Sequence, residues 1–479
     1  MATQCEGVPR SACRRRCKPA PILTLAYRLT ECRVNAAGLS MGHVALRVRR
    51  GDREPITVWN GAGTEPAPDP LGLCRQYAKS RNGAAGVVTS PVQRLGVSGD
   101  GSGVVFEVTF EHAIVVVGRP PPPPEPGIFF VRADGSGLRR LGPASRDPMF
   151  RIYPDTTGNF IFSVNVASEI PFSPNGRRIA FTDLGPGPAG EEAVQIVVLD
   201  LATGQRTQVT HLPSGSPLKV GAFLTAYPRF IDNETVLFFT SADPDGSNPQ
   251  HEVAAFTVRI DGSRLMQRVL PPHVAAVGSR VVPTFGVTQL PTDLLSLSLA
   301  GTPVTQYPGG DLPISEVFVQ AGKNVLQLTN FGRVDTYASF LNTTRTRAFF
   351  RASADPVGRN PHGNCQLFSV NVHGGGMRQI TDFNSGLPAI QPACSLVALF
   401  PDCGPTTGWT AQDKETRAVL FQSSCDPLHA NPYGEQVYAM RPDGSGLRQL
   451  TDAGGFTENP DGSIEVQLPG PFAYSAPLR

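Results

Sequence analysis

The sequence predicts an all-β chain folded as a β-propeller of six recognisable four-stranded blades, with a seventh, composite blade closed by both termini as the open alternative. Three observations predict it: an internal repeat of blade-sized step, a fixed order of turn and strand signals within each repeat, and strand-like segments left over at both ends. The repeat is plainest where Asp-Gly-Ser-Gly-Leu-Arg-Arg-Leu (Asp134 to Leu141) returns as Asp-Gly-Ser-Gly-Leu-Arg-Gln-Leu-Thr (Asp443 to Thr451). Looser copies carry Gly204, Gly262, Gly322 and Gly375. The glycines from Gly135 to Gly444 are then 69, 58, 60, 53 and 69 residues apart. β-rich units at a near-constant step form one array rather than separate domains.

Within each unit the signals come in order. Turn residues open it: Ser98-Gly99-Asp100-Gly101, Ser173-Pro174-Asn175-Gly176, Asp232-Asn233-Glu234, Asn342-Thr343-Thr344 and Asp413-Lys414-Glu415. Each precedes a short run of β-branched and aromatic residues, such as Val104-Val105-Phe106, Ile179-Ala180-Phe181, Val236 to Phe239, Ala348-Phe349-Phe350 and Val419-Leu420-Phe421. Turn residues followed by such a run read as a turn into a buried strand. After a variable loop comes a further strand: Ile128 to Val131, Gln195 to Leu199, or Gln436 to Met440. The Asp-Gly turn follows, its glycine supplying the positive φ of a tight hairpin, and the last strand ends in Arg-Gln-Leu-Thr. Four antiparallel strands per unit, packed radially, make a propeller.

These tags resemble the WD-repeat-like units of TolB-type propellers over about residues 92 to 451, most closely around Phe181, Phe350 and Phe421. The resemblance implies the propeller fold. It does not extend to the α/β domain of TolB, because residues 1 to 90 lack alternating strands and amphipathic helices, so the partner-binding role of TolB is not carried over. Residues 1–40 read as an irregular, Cys-containing extension and 41–479 as the propeller. Ile464 to Leu468 alternates as a strand should, and His43 to Val48 with Pro55 to Trp59 resemble the last two strands of a unit. A propeller hides its sheet edges by building one blade from both ends of the chain. The alternative is six blades with free tails.

Composition narrows the function classes. Gly 50 and Pro 46 suit turn-dense β structure, and Pro120 to Pro124 reads as a stiff loop inside the first unit. A net charge of +2 argues against nucleic acid as the partner of the whole chain. Residues 1 to 60 hold 11 Lys and Arg against 4 Asp and Glu, the densest cluster being Arg14-Arg15-Arg16-Cys17-Lys18, which reads as a solvated tail. No stretch approaches the ~18 apolar residues of a membrane helix. The nine cysteines cluster toward the ends, none lying between residues 75 and 364, which suits disulfides in a periplasmic or secreted protein. Cys394 and Cys425 are the preferred pair, with buried thiols as the alternative; no Cys-x-x-Cys spacing suggests zinc. Residues 14 to 27 do not make a convincing signal peptide.

Two motif matches lack their structural context. Gly38-Leu39-Ser40-Met41-Gly42 fits the nucleophile elbow, but no helix pattern follows it. Gly185 to Gly190 fits Gly-x-Gly-x-x-Gly, yet Pro186 and Pro188 offer no N–H to a phosphate.

The most specific local feature is a loop present in three units: Asp243-Pro244 to Asn248-Pro249, Asp355-Pro356 to Asn360-Pro361, and Asp426-Pro427 to Asn431-Pro432. It joins the second and third strands, so all three copies are expected on one face. The favoured reading is an Asx-type turn. The other is a calcium site with Asp243, Asn248, Asp355, Asn360, Asp426 and Asn431 as oxygen ligands, joined by Asn364 or Glu435. No other cofactor is expected. The loops also carry His251, His362 and His429, and the same face would present Arg359, Tyr433 and Glu435. Arg359, His362, His429, Tyr433 and Glu435 are therefore the candidate ligand-binding residues. The favoured function is a monomeric, non-catalytic extracytoplasmic propeller that binds a protein, glycan or small ligand. The alternative is a propeller hydrolase or lyase with a metal or a His/carboxylate pair at the central channel.

Overall fold

The computed structural model describes residues 23–61, 67–68, 92–109, 126–147, 150–154, 160–164, 170–215, 225–249, 251, 254–267, 280–282, 294–300, 306–307, 310–311, 315–321, 324–331, 338–343, 347–352, 354–383, 405–406, 419–423, 425–430, 436–451 and 455–475. Among these the regular structure is all β, with no helix. Besides two isolated two-stranded pairs, Phe150–Pro154 with Phe160–Val164 and Gln306–Tyr307 with Gly310–Asp311, six sheets follow one another along the chain, each an antiparallel meander. The first comprises Val92–Val97, Gly103–Val108, Gly127–Arg132 and Arg139–Gly142. The second comprises Arg178–Pro186, Glu192–Asp200 and Arg206–Gln208, with Phe172 bridging Ile179 where a first strand would run. Thr225–Phe230, Thr235–Thr240, Ala254–Arg259 and Met266–Gln267 form the third. Arg280–Val282, Leu294–Ala300, Ser315–Ala321 and Asn324–Gln327 form the fourth. The fifth contains Ala338–Thr343, Arg347–Ala352, Gln366–Asn371 and Arg378–Gln379. The sixth contains Pro405–Thr406, Val419–Ser423, Gln436–Met440 and Arg448–Gln449.

A seventh sheet, the terminal sheet, joins the two ends of the chain. Its order is Ile56–Asn60, Leu39–Arg50, Thr24–Val34, Ile464–Tyr474, Gly455–Glu458. Thr24–Val34 is thus a buried strand and not part of an irregular extension as expected for residues 1–40. The reason is packing on both sides: Leu25 and Tyr27 meet Leu420, Val437 and Leu450 of the sixth sheet, while Ala26 meets Leu95 and Phe106 of the first. Thr24 N–H donates to Ser475 Oγ at 2.9 Å and Ser475 N–H returns to the Thr24 carbonyl at 2.8 Å.

In the first, second, third, fifth and sixth sheets the long strand that follows the opening turn is apolar on both faces, and neighbouring sheets pack face to face through it. Phe349 turns to Phe421 and Tyr438 of the sixth sheet, while Phe350 lies with Phe368 and Leu328 on the opposite side. Likewise Val105 packs with Phe181 of the second sheet and Phe106 with Leu46 of the terminal sheet. The Asp-Gly turns complete this contact. A Cβ on Gly204, Gly262 or Gly444 would stand 3.5, 3.6 or 2.7 Å from the Leu141, Val209 or Ile380 carbonyl oxygen, each in the preceding sheet's outer strand or just after it. Those glycines have φ of +73°, +80° and +87°, so conformation and closeness both select glycine. Consecutive meanders abutting in this way have the arrangement of a β-propeller.

The Arg-Gln-Leu-Thr tag has its own cause. In the fifth sheet Thr381 Oγ1 accepts the Leu367 N–H at 2.8 Å and donates to Gln366 Oε1 at 2.8 Å. Gln366 in turn accepts from the Phe383 N–H at 2.9 Å and donates to its carbonyl at 2.6 Å. The second sheet repeats the clasp with Thr210 and Gln195, and the sixth with Thr451 and Gln436. It satisfies the backbone where the short outer strand ends, a place where an unpaired buried group would cost about 1–3 kcal/mol.

Candidate ligand-binding face

Antiparallel order sends the second-to-third-strand loops out at the end opposite the Asp-Gly turns. Each Asp-Pro loop is then built from its own side chains. The Asn248 N–H donates to Asp243 Oδ1 at 2.8 Å, and the Asn360 N–H to Asp355 Oδ1 at 2.7 Å. The two asparagines are buried, at 5% and 3% exposure, and their amides donate inward to the Ala242 and Ala354 carbonyls. Asn360 also donates to the Asn364 carbonyl at 2.7 Å. In the third copy Asp426 Oδ1 accepts the Ala430 N–H at 2.8 Å. Proline fixes φ after each aspartate, so the carboxylate reaches the N–H groups ahead of it.

The loop tips differ in a way the sequence does not advertise. Three residues after the aspartate the chain takes positive φ in every copy: Gly246 at +79°, Gly358 at +71°, His429 at +53°. Eight residues after it, Gly363 has +65° and His251 +53°. Histidine therefore occupies left-handed positions that glycine fills elsewhere, an arrangement costing roughly 1–2 kcal/mol for a residue with a Cβ. His251, His362 and His429 are all exposed. Arg359 is exposed as well, with Asp382 3.8 Å from its guanidinium. Among the described residues no three His, Cys, Asp or Glu side chains gather as a metal-binding group. Asn431, Tyr433, Glu435 and Cys394 lie outside the described residues, and with them the expected Cys394 to Cys425 pair. Cys425 packs partly buried beside the Phe349 and Phe421 core.

Sequence reading missed a polar cluster at the same end of the first and second sheets. Arg94 Nε stands 3.4 Å from Glu107 Oε2, and its Nη2 stands 3.4 Å from Asp147 Oδ2. Arg94 also donates to the Thr182 carbonyl at 3.2 Å, and the Thr182 hydroxyl donates to Asp147. The Ser145 N–H donates to Glu107, and the Arg146 N–H to Asp183 Oδ1 at 2.7 Å. Arg206 pairs with Asp183 at 3.2 Å while lying over the Phe181 ring. Arg94, Glu107 and Asp147 are 5%, 2% and 0% exposed. Burial pushes the Glu107 carboxyl above its ordinary value; Arg94 opposes that, and Asp147 and Asp183 add to it.

The two motif matches fall where their chemistry is absent. Ser40 lies in an antiparallel strand opposite Val34, and Gly187 to Gly190 is the turn between two strands of the second sheet, the Gly187 N–H donating to the Glu191 carbonyl.

No protein-family model matches the sequence, and no curated protein does. Among solved structures, the chain is similar to an oligogalacturonate lyase from Vibrio parahaemolyticus, with 10% identity, a TM-score of 0.43, and coverage of 88% of this chain and 91% of that one. It is similar to the β-propeller domain of the Trilobed protease from Pyrococcus furiosus at 11% identity and a TM-score of 0.40, over 76% of this chain and 85% of that one. A prolyl endopeptidase gives 12% identity and a TM-score of 0.44, over 92% of this chain and 54% of that one.

Proposed function

We propose that this chain is a seven-bladed, TolB-like propeller, its terminal sheet the composite blade, working outside the cytoplasm as a binding module. The ligand, a protein or a glycan, docks on the face of the Asp-Pro loops. The observation that carries the reading is the division of labour within those loops. Asp243, Asn248, Asp355, Asn360 and Asp426 are spent on internal turns and the His251 ring is tied to the Ser241 carbonyl at 3.2 Å, while Arg359, His362 and His429 are exposed at the loop tips. Conserving loop shape while varying the exposed tip suits recognition. The terminal sheet supports the same face. Thr24 Oγ1 donates to the Gly101 carbonyl, which fixes the start of Thr24–Val34 at the turn end. With 11 residues against six in Val92–Val97, that strand runs about 16 Å farther toward the loop face at ~3.3 Å per residue. The extracytoplasmic placement rests on the nine cysteines, which cluster toward the two ends of the sequence as a disulfide framework would.

The test immobilises the full chain and probes it with oligosaccharide and peptide panels, beside a variant carrying R359A, H362A and H429A. The variant should melt like wild type and lose the binding found. Binding that survives the triple change overturns the reading. Elemental analysis with a melt in chelator tests calcium at the same loops; a melting temperature lowered by chelator would assign their oxygens to an ion.

A second reading, a propeller hydrolase or lyase, draws on the buried carboxylates Glu107 and Asp147 beside Arg94. A carboxyl group raised above its ordinary range, as Glu107 is by burial, is a feature found at catalytic sites. Turnover of oligogalacturonates or of peptides by the wild-type chain, abolished by D147N, would favour it over binding alone.

A further inference from the structure

We propose that Glu107 is a proton-operated latch between the first and second sheets: with a proton on its carboxyl it holds segment 143–147 between them, and without that proton the seam loosens. Three elements meet there. The first sheet brings Arg94 and Glu107, the segment after its last strand brings Ser145 and Asp147, and the second sheet brings Thr182, Asp183 and Arg206. Glu107 itself faces two guanidiniums, Arg94 in contact and Arg206 farther off, and two carboxylates, Asp147 and Asp183. Arg94 is shared, standing 3.4 Å from Glu107 and 3.4 Å from Asp147. Arg206 is committed to Asp183 and to the Pro143 carbonyl. The remaining guanidiniums turn away: Arg146 pairs outward with Glu192 at 2.7 Å, and Arg140 donates to the Pro126 carbonyl.

An ionised Glu107 therefore adds a negative charge where two others are already present and water is excluded. Burying a charge is unfavourable unless it is fully paired, and here its cation is divided. The neutral acid avoids that penalty and still accepts the Ser145 N–H. Burial first, then the neighbouring carboxylates, raises the folded-state value above the ordinary 4.5. Such a group contributes stability that is complete below 4.5 and is lost as pH rises through the folded value. The seam is thus tight in acid and looser toward neutrality, the reverse of an exposed salt bridge.

Hydrogen exchange of the full chain, corrected for intrinsic rates, reads this at peptides covering residues 143–147 and 181–186. In wild type the local opening constant should rise with pH above 4.5, by up to about tenfold per pH unit while the proton leaves. E107Q should remove that dependence. D147N, which deletes one facing carboxylate and keeps the amide-sized side chain, should move the transition to lower pH. A purely structural role for either residue would change protection evenly at all pH values. The proposal fails if wild type shows no pH-dependent loss of protection there, or if D147N leaves the transition in place. Should E107Q not fold, the wild-type and D147N transitions decide alone.

Discussion

Replacing Gly444 by alanine, with Gly462→Ala as its control, separates backbone conformation from packing between sheets. The two glycines have φ of +87° and +81°. Around Gly462 a Cβ would meet nothing within 4 Å, whereas at Gly444 it would stand 2.7 Å from the Ile380 carbonyl oxygen and 3.5 Å from its carbon. A left-handed alanine costs roughly 1–2 kcal/mol, and the stiffer unfolded chain returns about 0.4–1. Gly462→Ala should therefore destabilise by about 1 kcal/mol. Gly444→Ala bears the same cost and must also push the sixth sheet from the fifth, since a backbone oxygen cannot swing aside as a side-chain end can. Overpacking adds about 1–3 kcal/mol, for a total near 2–4. Equilibrium unfolding in urea, with unchanged m-values, gives both numbers. Equal losses for the two variants would refute the close abutment of successive sheets.

Three further outcomes are expected. Thr451→Val keeps the shape of the sixth-sheet clasp but strips the acceptor of the Val437 N–H and the donor to Gln436, so it should cost about 1–3 kcal/mol in urea unfolding. His429→Gly should leave stability unchanged or raise it by up to about 1 kcal/mol, because relief of left-handed strain outweighs the freer unfolded chain; a loss would show that the imidazole is anchored. The turn carboxylates of Asp134, Asp261 and Asp443 are held below their ordinary 3.8 by the hydroxyl and N–H of Ser136, Ser263 and Ser445. Their contribution is present above 3.8 and lost as pH falls through the folded values, so D443N should flatten the acid limb of the melting curve.

What the sequence made legible follows from local chemistry. Asp134-Gly135 and Asp443-Gly444 announce hairpins because only glycine tolerates their φ, and Ala348-Phe349-Phe350 announces a strand buried on both faces. Asp243 and Asn248 could be paired by eye because five residues separate them. Thr24–Val34 was missed for the opposite reason: Leu25 and Tyr27 serve one neighbouring sheet and Ala26 another, so no alternation of polar and apolar residues marks it. The Gln366 and Thr381 clasp escaped because one partner lies in a strand whose start varies in sequence. Arg94 and Glu107 are cross-strand partners within the first sheet, but Asp147 and Thr182 reach them from outside it, and nothing in the sequence spacing announces that meeting. The histidines at left-handed positions are visible only once the three loops are aligned on backbone torsion.

The terminal sheet also sets an order in time. Thr24 and Ser475 clasp each other across 451 residues, whereas the two halves of the Gln366 and Thr381 clasp lie 15 apart. Loop-closure entropy grows only slowly with length, adding about 3 kcal/mol between those two separations, so distance alone does not forbid the clasp. Synthesis does delay it. Strand Thr24–Val34 leaves the ribosome well before Ile464–Tyr474 and must wait with one edge bare until that partner is made. An unpaired edge of that length invites pairing with other chains. Correct assembly therefore depends on shielding the bare edge of Thr24–Val34 until Ile464–Tyr474 arrives.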